Sequence, residues 1–295
     1  MWSYPDAHQE IAREWQEFAA ERQRATRAAT VAAKYEKQLT ERPESMRPFR
    51  QRMAELHRRI EGRHLACARL HRLHALRLQR WSIGDQATLR PVFMAAVAQH
   101  LGVDCAAITL FGHLGEELLV AASDGTARAA HDLELLIGEG PARDIVGGRE
   151  FVTAAGSELA TRWPQYGPAL TELGVRSVVA VPLHSSRLLG ALCVFTSSMG
   201  LRTETTPAAE TVADALANTV LLAAAGTDGG GAPQGTLFED ADYFAVVHQA
   251  VGMVAVQCGC DLDAALALLR ARAFADGSAI SEIGRRVLED GYQLC

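Results

Sequence analysis

Apolar positions in the first eighty residues recur at helical, heptad-like spacing, and glycine is scarce there. One seam runs through Ile11, Trp15, Phe18, Ala25, Ala29, Ala32 and Leu39, interrupted by Arg22 and Glu36. Pro43 and Pro48 break it, because proline cannot donate the helical hydrogen bond. A second seam follows through Phe49, Met53, Leu56, Ile60, Cys67, Leu70 and His74 to Trp81. As one helix it would be about 50 Å long at ~1.5 Å per residue. That length predicts a coiled coil or helical hairpin over residues 1–81.

From Ser82 the texture changes to alternating helix and strand. Thr88 is a cap candidate for a helix carrying Leu89, Val92, Phe93, Ala96, Val97 and Leu101, with Pro91 in its first turn and Gly102 ending it. Strands are expected at 105–111 and 117–122, then a mixed segment at 136–146 containing Gly138 and Gly140. A short strand near Phe151-Val152, a helix over 164–173, two apolar strands at 177–183 and 188–196 and a helix over 208–224 complete the unit. The order predicts an α+β unit over 82–225, an antiparallel sheet with helices packed against one face. Residues 226–236, rich in glycine, read as a flexible linker.

The remainder, 237–295, reads as three short helices. The first, from about Asp242 to Gln257, spaces Phe244, Val247, Val251, Val254 and Cys258 along a narrow seam suited to a partner helix, and Gly259 stops it. Asp261 or Asp263 caps the second, whose inner face holds Leu262, Ala265, Leu266, Leu269 and Ala273. Ser278 is the expected cap of the third, which buries Ile280, Ile283 and Val287.

Charge divides the chain. Residues 1–81 carry a net +7 and the rest −13, with −5 in the three-helix module alone. The arginine-rich second helix is either a solvated coiled-coil flank or a face for an anionic partner. No apolar run reaches the ~18 residues of a membrane span, and the start has no signal-peptide pattern. A cytoplasmic location and no membrane partner are therefore expected. Phosphate-loop, dinucleotide, G-x-S-x-G and H-E-x-x-H patterns are missing, so no enzyme activity and no catalytic residue is expected. His113, His131, His184 and His248 are solitary, and the six cysteines lack zinc-site spacing and read as reduced thiols. Neither a metal nor a cofactor is assigned.

The phrases Ile137-Gly138-Glu139-Gly140-Pro141-Ala142, Arg162-Trp163-Pro164, the run from Gly174 to Leu183 and Gly190-Ala191-Leu192-Cys193-Val194 together resemble a GAF domain, a small-molecule sensor and dimerisation module. The resemblance implies a ligand between sheet and long loops. Trp163 and Tyr166 would stack on a flat ligand, and Arg162 or Arg176 would hold an anion. The alternative is that Trp163 anchors a loop on a filled core.

The runs Gln249-Ala250-Val251-Gly252-Met253-Val254, Cys260-Asp261-Leu262-Asp263-Ala264-Ala265, Leu268-Leu269-Arg270 and Ile280-Ser281-Glu282-Ile283-Gly284 resemble an ANTAR domain, the three-helix RNA-binding output module of bacterial antitermination regulators. The whole then resembles a GAF and ANTAR domain-containing antitermination regulator of the actinobacterial type. It implies a homodimer that binds paired RNA hairpins in nascent mRNA. Arg270, Arg272, Arg285 and Arg286 would contact phosphates or stack on loop bases, with Gln249 adding a hydrogen bond. Arg270 and Arg285 could instead pair with Asp263, Glu282 or Glu289 on solvated faces. Val251 stands where family members carry a lysine, and with the module's acidic balance it keeps a second reading open. In that reading the chain is a protein–protein signalling adaptor that has lost RNA binding.

Overall fold

Helix α1 (Tyr4–Lys37) and helix α2 (Arg47–Ile83) run antiparallel in one chain, so the two seams close on each other as a hairpin. The computed structural model describes residues 4–84, 89–112, 115–225, 236–238 and 241–295. The direction follows from the cross-helix pairs. Glu36 meets Arg58 at 2.7 Å, Glu21 meets His64 at 2.6 Å, and Glu14 meets His71 at 2.8 Å. The buried stripe of α1 differs from the expected seam. Ala7, Glu10, Glu14, Glu21, Ala25, Ala28 and Ala32 are buried, while Ile11, Trp15 and Phe18 are half-buried. The carboxylates turn inward because α2 presents histidines at matching heptad positions.

The arginine face of α2 is partly consumed within the hairpin. Arg58 bridges Glu36 and Glu61, and Arg50 donates to the carbonyls of Gln38, Glu41 and Arg42 at the turn.

Helix α3 (Phe93–Leu101) leads into strands β1 (Cys105–Phe111) and β2 (Glu117–Ala122). Helices α4 (Gly125–Ile137) and α5 (Pro141–Val146), strand β3 (Val152–Ala155) and helices α6 (Glu158–Arg162) and α7 (Tyr166–Glu172) follow. Strands β4 (Ser177–His184) and β5 (Leu188–Thr196) precede helix α8 (Thr205–Ala225). Strand β6 (Asp242–Tyr243) and helices α9 (Ala245–Cys258), α10 (Leu262–Asp276) and α11 (Ile280–Glu289) end the chain. The sheet order is β3-β4-β5-β1-β2-β6, and every neighbouring pair is antiparallel.

Alternation along the strands builds two cores, one on each sheet face. Ile108, Val179, Val181, Leu192 and Val194 pack with α3, α8 and Leu70 of α2. Ala107, Val178, Ala180, Cys193 and Phe195 face the other way, into a core shared with α4–α7 and the C-terminal helices. Helices therefore cover both faces, not one as expected. These strands are apolar at nearly every position because neither face meets water.

Several local expectations change. Helix α3 starts at Phe93, after an exposed Leu89 and after Pro91, and Thr88 lies outside the described residues. Helix α4 was not anticipated; the Asp124 carboxylate caps it by accepting from the Ala127 amide at 2.9 Å. The helix expected over 164–173 is α7, and the short α6 before it was not anticipated. Asp261 caps α10, accepting from the Ala264 amide at 2.8 Å, but Ser278 does not cap α11, whose N-cap is Ala279. Most of the expected linker, 226–235, lies outside the described residues. At its end Thr236 is anchored, its hydroxyl donating to Glu14 at 2.6 Å, and Leu237 and Phe238 are buried.

The first C-terminal helix also differs. Asp242–Tyr243 is a strand, and the apolar seam of α9 packs inside the chain, where Val247, Ala250, Val251 and Val254 are buried. The cysteine expectation is corrected too. Cys258 and Cys295 form a disulfide with Cα atoms 5.8 Å apart, which ties the tail to the end of α9, while Cys67, Cys105, Cys193 and Cys260 are free.

Burial opposes charge on His71, yet the neighbouring Cys67 and Glu14 outweigh it and carry its pKa up to about 10. Because that value lies above the ordinary 6.5, the stabilisation is complete below pH 6.5 and is lost as pH rises towards 10. Glu14→Gln is expected to cost about 3 kcal/mol by leaving His71 without its counter-charge. It should also flatten the alkaline fall in melting temperature, followed by circular dichroism across that pH window.

A candidate interface between the sheet and the C-terminal helices

Strand β2 is an edge strand of the five-stranded part of the sheet, and β6 covers it. Leu119 pairs with Tyr243 and Val120 with Asp242, and the Phe244 amide donates to the Leu118 carbonyl at 3.0 Å. Phe244 then enters the core, 2% exposed, with its ring 5.5 Å from that of His131. Three residues thus convert an open strand edge into the attachment of three helices.

Beneath this attachment lies a buried polar cluster. Glu117 opens β2, His131 and Glu134 share one face of α4 at helical spacing, and Arg143 sits on α5. His131 Nε2 lies 3.0 Å from Glu117 Oε2, and Arg143 donates to Glu117 Oε1 at 3.0 Å. Burial favours a neutral Glu117, but His131, Arg143 and Arg270 around it hold its pKa below the usual range. Burial also opposes charge on His131, while Asp132 and Glu117 raise its pKa to about 9. Glu134 behaves in the opposite way. Burial pushes its pKa up to about 8, against the lowering effect of the Arg143 amide, which donates to Oε1 at 2.8 Å. At neutral pH the cluster therefore holds a charged His131–Glu117 pair beside a mostly protonated Glu134.

The glycine-rich phrase before α5 now has a local reason. Gly138 ends α4 at φ 83°, and Gly140, at φ 154°, lies where a Cβ would strike the Glu134 side chain. Glu139 between them accepts from the amides of Gln165 and Tyr166 at 3.0 and 3.4 Å, holding the start of α7.

The sequence-derived ligand residues fall into this core only in part. Trp163 and Tyr166 are buried and meet edge to face at 5.7 Å. Indole Nε1 and the phenol oxygen have no hydrogen-bond partner, and burial drives the phenol pKa up. Arg162 pairs with Asp144 at 2.9 Å and lies 5.6 Å from the Trp163 ring centre. Arg176 is exposed ahead of β4, outside that group.

The five residues assigned to RNA are also divided. Arg272 and Arg286 both reach Asp276, each at 3.1 Å, and both lie over the Tyr292 ring, at 5.4 and 4.4 Å. Arg285 is exposed next to them on α11, and Gln249 is exposed on α9. Arg270 is turned away, towards Glu117 and Arg143. The partner found for the pair is thus Asp276, which was not among the expected partners although it stands four residues after Arg272 on the same helix. Glu117, His131, Glu134, Arg143 and Tyr292 were also missed. The His131/Glu134 pair among the alanines of α4 was a readable sign, had the helix itself been anticipated. Among the described residues no His, Cys, Asp or Glu group is arranged for a metal, and no single helix is long and apolar enough to cross a membrane.

Residues 87–222 match the GAF domain family, so this part of the chain is a GAF domain, a sensory fold. A domain of a two-component sensor histidine kinase protein from Sinorhizobium meliloti 1021 aligns at 21% identity and a TM-score of 0.35, covering 44% of this chain and 85% of that one. No curated protein matches the chain.

The raised pKa of Glu134 has a testable cost. Between the ordinary 4.5 and about 8 the unfolded chain gives up this proton while the folded chain keeps it, so stability declines with pH across that window. Glu134→Gln keeps an acceptor for the Arg143 amide without the ionisable group. Its melting temperature should exceed wild type at pH 8 and converge with it near pH 4.5.

Proposed function

We propose, with a GAF domain at residues 87–222 as the premise, that the protein is a signal-responsive regulator that binds RNA and promotes transcription antitermination. The GAF domain would be the input. The three C-terminal helices would be an ANTAR-like output that binds paired hairpins in nascent RNA. The reading is of a cytoplasmic, non-enzymatic homodimer, with the hairpin and GAF domain offering the dimer surfaces.

The observation that carries the reading is the placement of Arg272 and Arg286 over the Tyr292 ring, with Arg285 exposed beside Arg286 in the chain. Guanidinium and aromatic planes together suit phosphates and unstacked loop bases. Arg270, from the same set, is held at the GAF domain instead. Docking therefore withholds one cation of the output, and a ligand preferring the docked or undocked arrangement would shift RNA affinity by population.

One observation favours the adaptor reading. Asp276 already accepts from both Arg272 and Arg286, within a module of net charge −5. RNA must displace that carboxylate to reach either guanidinium.

A gel-shift with tandem-hairpin RNA at low ionic strength separates the two. The regulator reading expects salt-sensitive retardation, weakened more than about tenfold by combined Arg285→Glu and Arg286→Glu with little change in melting temperature. Phe244→Ala, which should undock the output helices, is expected to bind at least as tightly as wild type. No retardation by either wild type or Phe244→Ala would leave the adaptor.

A further inference from the structure

We infer that the cleft between the GAF domain and the C-terminal helices is a binding site for a small organic carboxylate with an apolar body, held by Arg143 from one side and Arg270 from the other. The cavity measures about 420 Å³, within the ~300–1,000 Å³ usual for small-ligand sites. Leu135, Phe244, Val247, Val251 and Leu266 give it a mainly apolar lining. Trp163 and Tyr166 are not part of that lining, so this is a different place from the loop pocket expected from the sequence.

The charges around the cleft are incomplete. Arg143 and Arg270 both line it, and the Nε atom of each is buried without a hydrogen-bond partner. Arg143 gives one Nη to Glu117. Arg270 has no hydrogen bond or ion pair among the described residues. Glu117 already serves His131 and Arg143, so it leaves little charge for a third cation. At the mouth, Asp263 is exposed and makes no ion pair with Arg270, and the exposed Glu116 is turned over Gly112. Two guanidiniums thus share a half-buried space. Burial first, and then the Arg143 charge, lower the proton affinity of Arg270.

A bound anion relieves that repulsion and supplies acceptors for the unpartnered donors. A carboxylate matches the planar guanidinium fork, while the leucine, valine and phenylalanine lining calls for an apolar body rather than a bare ion. Because the two arginines belong to different parts of the chain, an occupant bridges them and favours the docked arrangement. The consequence for output rests on the proposed regulator, but binding itself does not require RNA.

The test is calorimetric titration of the full chain with octanoate and with phenylacetate, alongside phenylacetamide, inorganic phosphate and an Arg270→Gln variant. At least one acid is expected to saturate one site with a Kd below about 1 mM, and the amide to show no binding. Arg270→Gln should weaken the acid about tenfold or more. The inference is overturned if neither acid saturates, if the amide binds as well as the acid, if phosphate binds in place of the acids, or if Arg270→Gln binds undiminished. Should that variant fail to fold, the acid–amide comparison on the wild-type chain decides alone. RNA is absent from every readout, so failure here and failure of the antitermination reading are separate results.

Discussion

Pairing of Asp242–Tyr243 with the edge of β2, followed at once by insertion of Phe244 against His131, joins the C-terminal helices to the sheet of the GAF domain. An uncovered sheet edge exposes unpaired amides and carbonyls. Here a segment of this chain meets them, and the aromatic that follows closes the core beside it. Burial of Glu117 and His131, the protonated state of Glu134 and the cleft facing Arg143 all lie downstream of that contact. Remove it, and water reaches the carboxylates and their shifted pKa values relax.

Ionisable groups recur where an apolar core would have sufficed. Glu14 and Glu21 of α1 meet His71 and His64 of α2 at a seven-residue repeat, and Glu117 meets His131 under the C-terminal helices. Buried pairs of this kind contribute little net stability, yet breaking one partner away is expensive. Their effect is to fix register: a slip of the hairpin or a tilt of α4 would strand a charge in the interior. The Glu14–His71 and Glu117–His131 pairs tie the fold's stability to pH from both sides, through histidines raised and carboxylates lowered.

Much of the fold was legible. Strands 105–111, 117–122 and 188–196 appear as expected, because short apolar runs between turn residues leave few alternatives. The GAF-like phrases were readable because glycines at left-handed positions and Glu139 at a helix start are local demands. Helix α4 was missed although its apolar residues share a face and Asp124 caps it, both of them local signs. Strand β6 was missed because two residues, one of them charged, are too short a run to show any period. The candidate site was hidden for the same reason: Arg270 reads as one more solvated helical arginine until the docking turns it towards Glu117.

Sequence alone determined the order of units, since heptad seams, apolar strand runs and helix stops are short-range patterns that backbone geometry enforces locally. It determined that the C-terminal helices are acidic, with four arginines and no lysine from residue 237 onward. Tertiary structure alone decided which faces meet. It closed α1 on α2 within one chain, packed the α9 seam inward, and set Arg272 and Arg286 over Tyr292, Arg270 in a half-buried cleft and Arg285 in solvent. Such choices depend on desolvation and pairing between segments that lie from 22 residues apart in the hairpin to well over a hundred in the cleft, beyond the reach of short-range patterns.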